Sequence, residues 1–511
     1  MSSSAAALKR SLVFIHRWLG VALCVIFLIW FPSAIGIMYW DFPSVTPADR
    51  LERAASLDPA ALQLSPGEAY ATLGWSDPPT QIRLNTFDRR PVFRFRGRGG
   101  ERLVYADTGE QQTDVSEEMR LRIASAWSGQ PGADAKVVAV TEIDQWTVGG
   151  ALRNLRPLWK YSWPDGQQVY VAGATGEVVQ YTTTSSRLGA YLGAIPHWLY
   201  FTPLRTHQVA WSRFVIWVSG LATVSALLGL VIGVWMYSPR RRYRYGRVST
   251  SIPYRGQKRW HMMLGLIFGL GAATWAFSGM LSMDPFPLES ESRRPGSGIT
   301  QALRGRAPLA AFSAKDPRQA LAQIMTAQGG IANVKELEFA AFDGDPIYVA
   351  TVAGGTSLIV PVAGEPMPEF DQERIIDVVK RAAQPDAIVD ARVITQYDAY
   401  YLDRRRQSPL PVILARLGDA EHTRYYIDPK TALVVGGYGS RDWIRRWLYH
   451  ALHSLDFPWL YNHRPLWDIV VITMMLGGTA LCVTSLILAW RVVGRKLGRS
   501  SVEDAPDPTL C

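Results

Sequence analysis

Four uninterrupted apolar segments constrain this chain more than any other feature. They are "LGVALCVIFLIWFPSAIGIMYW" (Leu19 to Trp40), "FVIWVSGLATVSALLGLVIGVWMY" (Phe214 to Tyr237), "MMLGLIFGLGAATWAFSGML" (Met262 to Leu281) and "IVVITMMLGGTALCVTSLILAW" (Ile469 to Trp490). Each reaches the ~20 residues a helix needs to cross a hydrocarbon core. None carries a charge, and Trp or Tyr marks several ends, as at lipid interfaces. The pattern predicts an α-helical membrane protein with four transmembrane helices. A basic "KRSLVFIHRW" precedes the first run as it would in a signal peptide, but the run exceeds a signal core and no small-residue cleavage motif follows.

Charge supplies the orientation. The 54 basic residues exceed the 44 acidic ones, and the surplus clusters beside the apolar runs. "SPRRRYRYGRVSTSIPYRGQKRW" holds eight basic residues and no acidic one; Lys9, Arg10 and Arg17 precede or open the first run, and Arg491, Arg495, Lys496 and Arg499 follow the last. Cations flanking membrane spans mark the cytoplasmic side, so both termini are expected inside a bacterial inner membrane. The surplus is then a topology signal that meets anionic lipid, not a nucleic-acid footprint. The expected organisation is a cytoplasmic N-terminus and first helix (1–40), an outside region (41–212), a second helix (213–237), a basic cytoplasmic loop (238–260), a third helix (261–283), a second outside region (284–463), a fourth helix (464–490) and a tail (491–511). Three cysteines, Cys24, Cys482 and Cys511, are too few for a disulfide framework or a Cys-ligated iron–sulfur cluster.

The chain is also written twice. "HRWLGVALCVIFLIWFPS" from His16 aligns with "HMMLGLIFGLGAATWAFS" from His261, sharing His, Leu-Gly at +3 and +4, Trp at +14 and Ser at +17. "HWLYFTPLRTHQVAW" from His197 aligns without a gap on "HSLDFPWLYNHRPLW" from His453, with His at 0 and +10 and Trp at +14. Each half reads as helix, outside region, helix, so the repeats have parallel topology about an axis along the membrane normal. Within the outside regions, "RRPVFRFRGRGGERLVYADTGEQ", "QQVYVAGATGEVVQYT", "DPIYVATVAGGTSLIVPVAGEP" and "TRYYIDPKTALVVGG" read as alternating strands broken by glycine turns. "SPGEAYATLG" and "DPRQALAQIMTAQGG" open with helix N-cap and N1-proline signatures. These regions are expected to be α+β, with two small units in each.

Seven of the eight histidines fall in or beside the membrane segments; His422 alone reads as a surface residue. His16 and His261 are equivalent positions at the cytoplasmic level. His197, His207, His453 and His463 form the outer set, and His450 lacks a counterpart because Ala194 aligns with it. Histidine tolerates a membrane edge as a simple anchor, but Trp, Tyr, Lys or Arg would serve equally there. Repeat-related imidazoles at two depths instead offer pairs that hold a flat macrocycle by its iron, one ring on each axial side. From His16 to Tyr39 is 23 residues, roughly 35 Å of helix, so two cofactor levels are expected. The inner pair is His16 with His261. For the outer pair, His197 with His453 is preferred because the chain after each can turn back before the helix; His207 with His463 is the rival, and a mixed pair also fits.

The segments "IHRWLGVAL", "ARLGDAEHTRYYIDPKTALVV", "RRWLYHALHSLDFPWLYNHRPLWD" and "RPVFRFRGRGGERLVYADTGE" resemble the PepSY-associated transmembrane (PepSY_TM) family, related to iron-regulated membrane proteins and bacterial ferrisiderophore reductases. The resemblance runs nearly the whole chain. In the first half the signature has drifted to "HWLYFTPLRTHQVAW", which keeps each His but loses the Asp and Arg-Pro residues. It implies a four-helix inner-membrane protein with periplasmic PepSY domains and two haem b groups held by His16, His261 and the outer histidines.

Reduction weakens the hold of hard oxygen ligands on Fe(III), so delivering an electron outside releases chelated iron. A dihaem electron-transfer protein reducing a periplasmic ferric chelate is therefore the leading reading, which makes the chain a haem-dependent oxidoreductase, a ferric-chelate reductase. Arg94, Arg96 and Arg98 alternate along one segment and are expected to share a face that attracts an anionic chelate. The cytoplasmic loop is too short for a flavin or nicotinamide domain, so electrons must come from a membrane quinol or a cytoplasmic reductase. The rival class is a haem-free PepSY scaffold or sensor that restrains a periplasmic peptidase. A transporter is disfavoured because the spans lack ionisable residues other than histidine at their ends.

Overall fold

Lipid offers no partner to a bare peptide group, so an apolar run must close its hydrogen bonds within itself. In a computed structural model the four runs do so as the first (Ser3–Tyr39), second (Gln208–Met236), third (Gly256–Leu281) and fourth (Leu466–Glu503) membrane helices. All four are long and apolar enough to cross a membrane, and the chain is a multi-pass membrane protein. The structure describes residues 3–503 apart from 242, 246–247, 287–296, 331–332, 404–406 and 441. Arg242 and Arg247 of the basic loop and the terminal Cys511 lie outside the described residues, as does the side chain of Arg499.

The chain divides into two compact units. The first comprises Met1–Pro43, Thr184–Leu288 and Trp443–Cys511, and the second Ser44–Thr183 and Glu289–Asp442. Residues 184–212 and 443–463, assigned to the outside regions on sequence, thus cluster with the membrane helices. Within the membrane unit, outward-facing residues such as Trp217, Val234 and Leu270 are exposed, as suits a lipid-facing surface. Inward, Gly477 and Gly478 of the fourth helix let the rings of Phe268 and Phe31 pack where any Cβ would collide with them. Phe31 in turn meets Phe27 in a stacked pair and Trp275 edge-on, with ring centres 6.2 and 6.0 Å apart.

The β-rich unit contains strands from both halves. The first half supplies β1 (Gln81–Phe87), β2 (Arg90–Gly97), β3 (Gly100–Tyr105), β4 (Lys136–Val140), β5 (Leu158–Ser162), β6 (Gln168–Ala172) and β7 (Val178–Thr182). A small hairpin, β8 (Tyr243–Tyr245) with β9 (Val248–Thr250), belongs to the basic loop of the membrane unit. The second half supplies β10 (Val334–Phe342), β11 (Asp345–Val352), β12 (Ser357–Pro361), β13 (Ile388–Ile394), β14 (Val412–Leu417), β15 (Arg424–Ile427) and β16 (Val434–Tyr438). The expected strand segments are all present.

The regions between the first and second and between the third and fourth membrane helices do not form separate sheets throughout. One six-stranded antiparallel sheet runs β12-β11-β10-β1-β2-β3, joining a three-stranded meander from each half through β1 and β10. Ile82 pairs with Phe339 and Leu84 with Leu337 across that seam, and their apolar faces enter a core with Phe93, Phe312 and Tyr348. Sequence periodicity shows which face of a strand is buried but not which distant strand completes its hydrogen bonds. Helices Pro66–Ala71 and Pro317–Ala327 contribute to the same core. Both start at the expected Ser-Pro or Asp-Pro, and Ser65 with Glu68 and Asp316 with Gln319 close reciprocal capping boxes. Each half then adds a four-stranded meander, β4 to β7 or β13 to β16. Helix Glu117–Ser128 covers the first through Ala124 and Trp127, and Gln372–Ala382 covers the second through Ile375 and Val379.

Candidate functional site

The membrane unit brings four of the histidines together in two pairs. His16 on the first helix faces His261 near the start of the third, with ring centres 6.1 Å apart. His197 and His453 face each other with the same 6.1 Å separation. A metal bonded to one nitrogen of each of two opposed imidazoles, at the ~2.0–2.1 Å typical of such bonds, sets the ring centres about 6 Å apart.

Each ring is oriented through Nδ1. His16 Nδ1 lies 2.9 Å from the Ser225 carbonyl, which can only accept, so Nδ1 carries the proton. His261 Nδ1 lies 3.2 Å from Thr484 Oγ1 and 3.3 Å from Ser485 Oγ. Both hydroxyls give their own proton to the Leu481 carbonyl, at 2.7 and 2.9 Å, and so accept from the imidazole. Ser278 Oγ donates to the Trp275 carbonyl at 3.2 Å and accepts from His453 Nδ1 at 3.0 Å. Ser33 Oγ likewise donates to the Trp30 carbonyl at 3.0 Å, and His197 Nδ1 is 3.4 Å from both that hydroxyl and that carbonyl. A proton held on Nδ1 puts the lone pair of a neutral imidazole on Nε2, the arrangement of a metal-ligating histidine with its supporting hydrogen bond. Ser33 and Ser278 were visible as the shared +17 serine, but spacing alone did not show that they hold the outer rings.

The outer pair is carried by short helices that turn back on themselves. Ala194–Trp198 and Leu452–Ser454 both end at a left-handed leucine, Leu199 at φ 53° and Leu455 at φ 52°, two residues after the histidine. A leucine in this region costs ~1 kcal/mol or more, and tertiary contacts hold it there. Trp211 Nε1 donates to the Trp198 carbonyl and Trp467 Nε1 to the Ser454 carbonyl, each at 3.1 Å; these are the +14 tryptophans of the repeat. In the first half the turn also lies directly on the first membrane helix. A Cβ on Gly36 would stand 2.5 Å from the Leu192 carbonyl oxygen, and one on Gly193 2.7 Å from the Ile37 nitrogen. Only two glycines allow this backbone approach.

Around the inner pair is a cavity of about 420 Å³ lined by small residues including Gly20, Gly229, Gly265 and Gly269, with Arg17, Lys258, Arg491 and Arg495 also on its wall. Gly229 is a cradle for the His16 ring: a Cβ there would come within 2.7 Å of its Cε1. Cys24 and Cys482 line the same cavity as free thiols.

The remaining histidines stand apart. His207 is exposed at the N-cap of the second helix, and the exposed His463 donates from Nδ1 to the Trp459 carbonyl at 2.6 Å. Among the described residues neither ring meets another histidine. His450 is exposed and lies 4.5 Å from the Tyr449 ring, which is itself 5.5 Å from His453. His422 occupies a turn of the β-rich unit at φ 49°. Among the described residues no group of three or more His, Cys, Asp or Glu side chains is arranged to hold a metal ion.

The arginines selected on sequence divide. Arg94 is buried, and its guanidinium is bound by Glu101 at 3.0 Å and Glu177 at 2.8 Å. Arg96 is more exposed and lies 3.5 Å from Glu101, so these two share a face. Arg98 falls in the turn after β2 and pairs with Asp77 at 3.6 Å. No protein-family model matches this chain, and no curated protein matches it significantly.

Proposed function

We propose that the protein is a dihaem transmembrane electron carrier of the bacterial inner membrane that reduces a ferric chelate on the periplasmic side. The observation that carries this reading is the pair of opposed imidazole couples, each ring anchored through Nδ1 and each couple at 6.1 Å. The residues fit a haem b at both levels. His16 and His261 would hold one, and His197 and His453 the other; the inner cavity already has glycine walls where a flat ring needs close approach. Arg17, Lys258, Arg491 and Arg495 would compensate the two carboxylates that such a ring carries. When bound, a bis-imidazole haem supplies a one-electron carrier whose iron keeps its ligands through the redox cycle.

The chain's own part is to fix four imidazoles, exclude water from the bundle and keep the two levels apart. Phe27, Phe31 and Trp275 fill part of the bundle interior. In this reading the two halves are parallel repeats with PepSY-like β-rich segments outside, and the basic loop and both termini face the cytoplasm. A membrane quinol or a cytoplasmic reductase gives one electron for each Fe(III) reduced to Fe(II).

The test is the absorption spectrum of detergent-purified full-length protein, oxidised and dithionite-reduced, with the iron-to-protein ratio. Sharp six-coordinate bands are expected. His261→Ala and His197→Ala should each halve the haem content, whereas His207→Ala and His463→Ala should leave it unchanged. Colourless wild-type protein from haem-replete cells would return the reading to a haem-free scaffold.

A further inference from the structure

The β-rich unit contains a cleft of about 1250 Å³ with no haem-like features and a one-sided charge. Seven arginines and no lysine line it, against four carboxylates. Glu101 is shared by three of those arginines: Arg83 at 2.8 Å, Arg94 at 3.0 Å and Arg96 at 3.5 Å. Glu177 adds a second partner for Arg94 at 2.8 Å and Asp88 pairs with Arg122 at 2.6 Å, so the guanidiniums still outnumber the carboxylates on this wall. Glu336 lies 3.8 Å from Arg83, and burial raises its pKa above the ordinary carboxylate value.

Three further arginines on the wall have no carboxylate partner among the described residues. Arg50 and Arg53 lie three residues apart on helix Pro47–Arg53 and donate to the carbonyls of Val178 and Trp127, at 3.3 and 2.6 Å. A carbonyl satisfies a donor without cancelling its charge. The Arg53 guanidinium also lies over the Trp127 ring, 4.8 Å from its centre, a cation–π contact that helps hold it in place. Arg89 has a different origin. The β1–β2 hairpin turns on Asp88 and Arg89, both at positive φ, 48° and 65°. Glycine or asparagine is the usual residue at such a position, so an arginine there is retained against local strain and projects from the hairpin tip that lines the cleft.

Guanidinium forks match the geometry of oxyanions, carboxylates above all; Arg50, Arg53 and Arg89 have no carboxylate partner among the described residues, and Arg96 shares Glu101 with Arg83 and Arg94. At about 1250 Å³ the cleft has room for a solute that bears several such groups together with its hydration water. We propose that this cleft binds a small polycarboxylate, of the class of anionic ferric chelates, through Arg50, Arg53, Arg89 and Arg96. The inference rests on the function proposed above and deepens it by naming the chemistry of the acceptor; of the arginines selected on sequence it keeps Arg96, leaves out the doubly paired Arg94 and the turn residue Arg98, and adds Arg50, Arg53 and Arg89.

The experiment is isothermal titration of detergent-solubilised full-length protein with ferric citrate, with a neutral ferric trihydroxamate and with a polyglutamate peptide. Ferric citrate should bind, more weakly as salt rises, and better than the neutral chelate. Arg89→Asn combined with Arg96→Gln, both on exposed side chains, should weaken binding about 10-fold or more while the haem spectrum is unchanged. Arg53→Gln is a second variant of the same kind. Equal binding of the neutral chelate, tighter binding of the peptide, or a variant within about 2-fold of wild type overturns the proposal. Haem content is read on the same samples. Citrate binding by haem-free protein would sink the electron-transfer reading alone, and haem-loaded protein indifferent to citrate would sink this inference alone.

Discussion

His453 Nδ1 is held by the Ser278 hydroxyl, whereas His261 has two hydroxyls within reach. A single substitution therefore removes the hydroxyl that holds His453 Nδ1, whereas His261 would keep one of its two. On the dihaem reading, Ser278→Ala is expected to lower the affinity of the His197–His453 level for haem about 10- to 100-fold, the usual cost of losing a supporting hydrogen bond to a metal-bound imidazole. Ser33→Ala should cost less, because the Trp30 carbonyl remains beside His197. Haem retention on dilution, with the low-spin EPR signal as a readout of ring orientation, measures both. In the β-rich unit the corresponding residue is Glu101. Burial pushes its pKa up, but Arg94 and Arg83 outweigh that and hold it below its ordinary 4.5. Its ionised form thus stabilises the fold above pH 4.5, and that contribution is lost as pH falls through the lower folded value. Glu101→Gln should cost on the order of 2 kcal/mol at neutral pH and progressively less in acid, where wild type is protonated too. Denaturant melts at both pH values decide it; a difference that stays constant is the adverse result.

Among elements, the short helix Ala194–Trp198 has the most demanding position. Its five residues cannot be stable alone. It is held by the Gly36–Gly193 backbone contact, by the left-handed turn at Leu199 and by the Trp211 indole. Gly193→Val brings a branched side chain against the Ile37 backbone, which has no rotamer by which to yield. On the dihaem reading the expected result is loss of haem from the His197–His453 level alone, read as half the haem content and unchanged spectral features of the His16–His261 level. Loss of both haems, or of neither, would show that this helix does not act as a separate mount.

For the whole molecule, the decisive feature is that neither half completes its own β structure. The seam between β1 and β10 joins strands some 250 residues apart, and the core beneath it draws on both meanders. Leu337 is fully buried at that seam, so Leu337→Ala should cost about 2–5 kcal/mol. Because the sheet is continuous, the loss should appear as one shifted unfolding transition of the β-rich unit. Two separated transitions, one for each half, would indicate that the halves fold independently.

The amino-acid sequence alone determined the four membrane helices, the strand segments, the capped helices at Ser65 and Asp316, and the repeat-related histidines. Each depends on short-range periodicity, capping chemistry or the frequency of rare residues, all of which are local. Tertiary structure alone decided that His197 and His453 meet while His207 and His463 do not, since both choices have the same spacing and differ only in how the turn at Leu199 and Leu455 aims the chain. It also decided that the two long inter-helix regions share one sheet, and that Arg50, Arg53 and Arg89 line the cleft with Arg96. Hydrogen bonding across a sheet and contact between buried rings depend on which distant surfaces pack together, and that information lies in the sum of many weak contacts rather than in any one stretch of residues.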